Sequence, residues 1–271
     1  MAAVLGVSRN GYYRWKQNPK SNRAQEDEYL LTLIKKIMKK GRGFFGSPTV
    51  TTELRNNYNI RCGKNRIARI MRENGIKAKT HRKFKATTDS KHKYPVAPNL
   101  LDQKFDVAAP NTVWAADITY IGTAEGWLYL AVIVDLYNRQ VVGWAMDKRM
   151  KRDLVLRALK QAVGRRNPPP DLIHHSDRGS QYASTDYQRA LKKYGMIPSM
   201  SRKGNPYDNA CVESFFATLK KQCVYFNRYI TRTQARQSIF EYIEVFYNRI
   251  KPHSTLGGKS PVDFGKLTQA A

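Results

Sequence analysis

The chain has 271 residues, 41% of them apolar, which is enough for one large domain or two smaller ones around a sizeable core. Its 48 Lys and Arg against 21 Asp and Glu leave a formal charge of +27, which disfavours a small neutral substrate and favours a polyanion, nucleic acid or an anionic membrane surface. No apolar run approaches the roughly 18 residues of a membrane span, and the opening MAAVLGVSRN is too short in apolar residues for a signal peptide.

Residues 2–16, AAVLGVSRNGYYRWK, read as a short helix, a turn at Gly6-Val7 and a second helix capped by Ser8. The pattern fits a helix-turn-helix-like arm over residues 1–20, with Arg9, Tyr12, Arg14 and Lys16 near DNA, and equally an N-terminal packing arm. Because Met1 opens directly on a helical pattern, the chain is also compatible with being the downstream part of a longer product. A second helix is expected from about Gln25 to Lys40, with Leu30, Leu33, Ile34 and Ile37 as its apolar stripe. Ser47 and Pro48 start a third, to about Asn57; a fourth runs from Lys64 to Glu73 and ends near Gly75. Residues 25–80 thus read as a small helical DNA-binding domain in which Lys64, Asn65, Arg66, Arg69 and Arg72 meet phosphates or bases. The competing reading is a bundle whose charges only solubilise it.

Residues 81–110 read as a basic linker able to lie along a phosphate backbone. His81 and His92 fall there as solvated loop histidines, since no CxxC follows them. From Thr112 the texture changes to strands: TVWAADITYIG, then two more in GWLYLAVIVDLYNRQVVGWAM joined by a turn at Tyr137-Asn138-Arg139. KRDLVLRALKQAVGRR is a helix with Asp153 as candidate cap, DLIHHSD a buried strand, STDYQRALKKYG a helix, and MIPSMS a short strand. A helix over Asn205–Lys221 and another from about Arg232 to Arg249 complete an α/β order of five strands with helices over residues 111–271. The three cysteines, Cys62, Cys211 and Cys223, form no CxxC pair and fit free thiols in a reducing compartment.

Three acidic residues carry the chemistry. Asp117 and Asp177 sit within or at the end of strand-like runs with 59 residues between them, and Glu213, with 35 residues between it and Asp177, lies on the Asn205–Lys221 helix. Asn209 at i−4 and Lys220 at i+7 share its face. Strand-Asp, strand-Asp, helix-Glu is the order of the acidic triad in ribonuclease-H-like integrases and transposases. Phosphodiester transfer can use two divalent ions, Mg²⁺ or Mn²⁺, held by such hard oxygen ligands. Each member also has a plainer role: Asp117 as a strand residue satisfied by backbone groups, Asp177 as a cap on Arg178-Gly179-Ser180. Asp135 is a rival carboxylate, read as structural and tied to the Asn138-Arg139 turn. His174 and His175 are read as strand-end packing.

The segments WAADITYI, YLAVIVDLYNRQVVGW, HSDRGSQYAS, SMSRKGNPYDNACVESFFATLK and FYNRIKPHSTLGGKSP resemble the OrfB-type transposases of the insertion-sequence-three family, in the same order along residues 111–264. The front part, with GVSRNGYYRW, is similar too. The resemblance implies a ribonuclease-H-like mixed five-stranded sheet flanked by helices, preceded by an all-helical, helix-turn-helix-like region. It implies Asp117, Asp177 and Glu213 as metal ligands, DNA contact by Lys220, and activity in the bacterial cytoplasm at the nucleoid. Asn209 and Arg178, beside the acidic residues, are expected to meet DNA as well. Family members cut a strand at the element end and join its 3′-hydroxyl to DNA, as homo-oligomers on transposon ends and target. An upstream-frame partner or fusion usually supplies a leucine zipper, and no heptad zipper is visible in this sequence. The alternatives are a DNA-binding regulator with an inactive core and a nuclease acting on RNA–DNA hybrids.

Overall fold

A computed structural model of the chain describes residues 8–17, 20–79, 95–203 and 205–269, together with Val4 and Gly6. It divides into two compact units, Met1–Thr80 and His81–Ala271.

The front unit holds four helices, α1 Arg9–Gln17, α2 Asn22–Lys40, α3 Ser47–Tyr58 and α4 Lys64–Glu73. Ser8 caps the first as expected, its hydroxyl accepting from the Gly11 amide at 2.9 Å. The short helix expected before Gly6 falls largely outside the described residues. Ser21 caps α2 three residues earlier than the apolar stripe announced, and Gly46, not Ser47, occupies the cap position of α3. Leu30, Ile34 and Ile37 of α2, Val50 and Leu54 of α3, and Ile67, Ile70 and Met71 of α4 are buried together. A charged clamp reinforces this small core. The Asp27 carboxylate receives Arg66 at 2.7 Å and also Arg69, while Arg66 reaches Glu26 and Arg69 reaches Glu73.

The second unit is built on a five-stranded sheet: β1 Val113–Thr123, β2 Gly126–Asp135, β3 Val141–Asp147, β4 Ile173–Ser176 and β5 Ile197–Met200. The spatial order is β3-β2-β1-β4-β5, with β1, β2 and β3 antiparallel and β4 and β5 parallel to β1. Between the strands run α5 Arg152–Arg166, α6 Ser180–Ala183 and α7 Thr185–Lys193; after them come α8 Ala210–Gln222, α9 Arg232–Glu241 and α10 Pro261–Gln269. Lys151 rather than Asp153 stands at the cap of α5, and α6 and α10 are additions to the sequence reading.

Alternation along the strands fills both faces. Trp114, Ala116, Ala131 and Ile133 pack with Leu154, Val155, Ala158 and Leu159 of α5 and Tyr182 and Tyr187 of α6 and α7. Leu130 and Val132, one residue out of phase, are equally buried, and α8 and α9 pack against β1 and β2. Asp135 is structural, as its sequence context indicated: it is fully buried and accepts from the backbone amides of Asn111 and Tyr137, both at 3.0 Å. Continuing from α9, one π-turn over Tyr242–Tyr247 inserts an extra residue in the helix. It delivers Asn248 to the outer edge of β3, where its amide both accepts from the Val141 N–H and donates to the Val141 carbonyl, at 3.0 Å each. Gln161 of α5 accepts from the Trp144 N–H at 2.7 Å on the same strand.

The segment leading into the sheet is not free either. Residues 81–94 of the basic stretch, with His81 and His92, lie outside the described residues. In its remainder Leu101 is buried, the Leu100 amide donates to Ser199 Oγ at 2.9 Å, and Arg139 donates to the Phe105 carbonyl at 3.1 Å.

Gly143 of β3 marks the closest approach of α5 to the sheet. A Cβ there would collide with the Ala158 carbonyl oxygen and come within 2.7 Å of the Ala162 Cβ. Gly143→Ala is therefore expected to lift α5 from the sheet and lower stability by about 1–3 kcal/mol, read from denaturant unfolding.

Candidate active site

Strand register does the first part of the assembly. β1 and β4 run parallel with Ala116 opposite Ser176. The next residue in each chain segment is an aspartate, so Asp117 on β1 and Asp177 just past the end of β4 leave two paired strands, which lie about 4.8 Å apart, as neighbours. Each is held by a neighbouring amide: Asp117 Oδ1 accepts from Ile118 N–H at 2.7 Å, Asp177 Oδ1 from Gly179 N–H at 2.9 Å. Gly179 has to be small, since a Cβ there would stand 2.9 Å from Asp177 Oδ1.

Glu213 arrives on α8. Val212, Phe215, Phe216 and Leu219 bury one side of this helix, which leaves Glu213 exposed on its flank, with Lys220 half-buried two turns on. The stretch expected as one helix from Asn205 is two pieces, a 3₁₀ turn over Pro206–Asn209 and then α8. Asn205 caps the first piece, its side chain accepting from the Tyr207 amide at 3.1 Å. Asn209 was expected to reach DNA and does not face outward. It is buried and its Nδ2 donates to the Ala116 carbonyl at 3.1 Å, which ties the root of α8 to the strand residue before Asp117.

The electrostatics follow from crowding. Burial, and next the Asp177 carboxylate, hold the Asp117 carboxyl well above the usual aspartate range; Glu213 adds to this, and the Ile118 amide and Lys220 oppose it. Burial also raises Glu213. Lys220 is lowered by burial against a smaller opposing pull from Asp117, and its Nζ lies 5.2 Å from the centre of the Tyr120 ring. Asp177 and Glu213 therefore both lie within electrostatic reach of Asp117. Among the described residues, no three His, Cys, Asp or Glu side chains stand close enough to hold an ion as they are. The donor set still suits a hard divalent cation: all ligands are carboxylate oxygens, and a cation would relieve the repulsion between the two aspartates.

Several sequence readings find their place. His175 bonds Ser199 Oγ at 2.9 Å and Ser201 Oγ at 3.0 Å, and His174 bonds the Tyr187 hydroxyl at 3.0 Å, so both are packing residues of the strand end. Burial keeps them neutral, His174 lowered to about 3 and His175 to about 4. Arg178 spends its Nε on the Ser201 carbonyl at 2.6 Å, which binds the end of β4 to the strand beyond it. In the front unit Arg66 and Arg69, expected on DNA, are engaged by Asp27, Glu26 and Glu73 and first of all hold helices together. Lys64 and Arg72, and Arg9 and Arg14 on α1, remain exposed. Cys62, Cys211 and Cys223 are free thiols.

A polar cluster below α8 was not legible in the sequence. Asp208 is fully buried. It accepts from the Arg202 amide at 2.8 Å and the Arg202 guanidinium at 2.8 Å, from Gln103 at 2.9 Å and from Asn99 at 3.0 Å. Its partners lie more than 100 residues upstream as well as next door, so no local pattern announces it.

With this geometry in view, comparison with known proteins is direct. Models of an integrase core domain match residues 107–206 and 194–261, and a model of an HTH-like domain matches residues 24–84. The transposase InsF for insertion sequence IS3A of Escherichia coli (strain K12) is 43% identical over 269 residues, covering 97% of this chain and 92% of InsF. The chain belongs to the IS3 family of transposases. A relative from Shigella sonnei, the insertion element IS600 uncharacterized 31 kDa protein, is 49% identical over 264 residues, 97% of each chain. The fold of this IS3-family chain also resembles that in a simian T-cell lymphotropic virus intasome structure, with a TM-score of 0.51 at 18% identity, over 86% of this chain and 74% of the other. No helix among the described residues is long and apolar enough to cross a membrane.

Arg202 holds the Asp208 carboxyl far below the usual aspartate range. A depressed folded-state value means that this contribution is fully present above about pH 4, the ordinary aspartate value, and fades as the pH falls below it. Asp208→Asn is expected to cost about 2–3 kcal/mol at neutral pH, from lost charge-assisted hydrogen bonds, and to flatten the acid limb of a stability–pH curve. Chemical denaturation across the acid range reads both.

Proposed function

We propose that this chain is a DNA transposase that cuts a strand at the end of its insertion sequence and joins the 3′-hydroxyl to DNA. The observation that carries this reading is the placing of Asp117 and Asp177 side by side by the β1–β4 register, with Glu213 on the helix that Asn209 straps to the same strand. We assign Asp117, Asp177 and Glu213 as the ligands of divalent ions, Mg²⁺ or Mn²⁺, with two ions as the expected complement. Bound there, such ions supply Lewis-acid activation of the attacking oxygen and neutralise charge at the leaving oxygen.

The chain's own residues do the rest. The Ile118 and Gly179 amides fix the aspartate oxygens so that they meet a substrate already oriented. Glu213 is exposed, so its flexible arm can swing to close the set. Lys220, propped against Tyr120, offers one positive charge to a phosphate next to the reacting one. Asn209 and Arg178 act as positioning residues in this scheme. In the front unit Lys64 and Arg72, with Arg9 and Arg14, are the cations available for phosphate contact. Two element ends have to be held at once while each chain offers one acidic site, so a dimer or larger assembly on DNA in the cytoplasm is the working form.

Element-end DNA with Mg²⁺ or Mn²⁺ tests this reading. Asp117→Asn, Asp177→Asn and Glu213→Gln are each expected to lower strand cleavage by about a thousandfold, the several kcal/mol that such ligation supplies at about 1.4 kcal/mol per decade, while DNA binding persists. Undiminished cleavage in all three variants would sink the assignment.

A further inference from the structure

Beyond the aspartates β1 runs on. Its pairing with β4 stops at Ala116, whereas its pairing with β2 continues to Thr123. This overhang carries two large aromatic residues in the open: Tyr120 is 39% exposed and Trp127, across the hairpin, 53%. Their rings meet edge to face, centres 5.0 Å apart at 81°. Trp127 is paired with Gly122, and a Cβ at Gly122 would touch its Cζ3 at 3.5 Å, so the indole is steadied across a bare stretch of backbone. Lys220 sits over the Tyr120 ring, and Lys220 and Asp117 feel each other's charge. Lys220 of α8 is therefore the link between the Tyr120 ring and the acidic site.

A rigid exposed ring beside an ammonium group is complementary to a flat π-surface joined to an anion, which is the chemistry of one nucleotide. Spacing agrees. Trp127 lies opposite Gly122, five steps of β1 beyond Asp117, about 17 Å, which matches roughly five nucleotide rises of about 3.4 Å along one strand. Bases inside a duplex present no free face, so the ring can be used only by a base that has left the stack.

We propose that Trp127, braced by Tyr120, is a stacking platform for one unpaired nucleobase of the DNA strand held at Asp117, Asp177 and Glu213, with Lys220 on the adjoining phosphate. The proposal deepens the transposase reading and rests on it for the identity of the strand. The plainer role for Trp127 is cover for Gly122, which any bulky apolar side chain supplies. Trp127→Leu keeps that cover and removes the aromatic face; Trp127→Phe keeps both.

The test uses the full chain without divalent metal and two probes, a blunt duplex and the same duplex with a short single-stranded 3′ overhang carrying 2-aminopurine. Wild type and Trp127→Phe are expected to bind the overhang more tightly and to quench the 2-aminopurine. Trp127→Leu is expected to lose about tenfold in affinity for the overhang only, together with the quench, at unchanged melting temperature. Equal losses on both probes, an undisturbed quench in Trp127→Leu, or a change of oligomeric state in Trp127→Leu without DNA would overturn the platform. The last outcome would assign the ring to a second copy of the chain. Because no metal is present, none of these results depends on cleavage, and a wild-type chain that fails to cut DNA with metal would sink the transposase reading separately.

Discussion

Two like charges on adjacent strands set the terms for the whole second unit. Unscreened carboxylates one strand spacing apart repel, and burial of Asp117 makes the repulsion worse. Such an arrangement persists only where the scaffold leaves the side chains no alternative. The parallel pairing of β1 with β4 does this, because a slip of one residue would send one aspartate to the other face of the sheet. Backbone amides then take one oxygen of each carboxylate, and small Gly179 lets the Asp177 carboxylate lie close to the chain. The cost sits in the fold, so that the two aspartates are already neighbours before Glu213 closes on them.

The helix carrying the third carboxylate is secured by polar groups as much as by its apolar side. Asn209 reaches the strand that bears Asp117, and Asp208 gathers Arg202, Gln103 and Asn99 directly below. Buried polar groups of this kind stabilise only when fully partnered, and the Asp208 carboxylate has a donor on both oxygens. Positive charge is divided in a similar way. Arg66, Arg69, Arg178 and Arg202 hold protein groups, so the count of 48 Lys and Arg overstates the cations offered to phosphate.

Much of this was readable in advance because its causes are local. The strands showed as alternating apolar runs, α4 was delimited by its own spacing, and Asp117, Asp177 and Glu213 stood out as acids in apolar settings. The structural roles of Asp135 and of the two histidines were legible for the same reason, each lying beside the turn or strand end that it serves. What escaped notice is long-range. Asp208 did not stand out because its partners from the incoming segment are more than 100 positions away. Asn209 looked outward because spacing alone puts it in line with Glu213, while the break between the 3₁₀ turn and α8 turns it inward. Arg66 and Arg69 looked available because nothing near them in sequence shows Asp27 across the bundle.

The outer rim of β3 has a consequence for how copies of this chain can meet. A border strand with bare N–H and carbonyl groups invites another polypeptide to extend the sheet. Here the Asn248 amide answers Val141 like a strand one residue long, and Gln161 takes the Trp144 N–H. The π-turn that brings Asn248 into place thus plugs this border from within and disfavours extension of the sheet at β3.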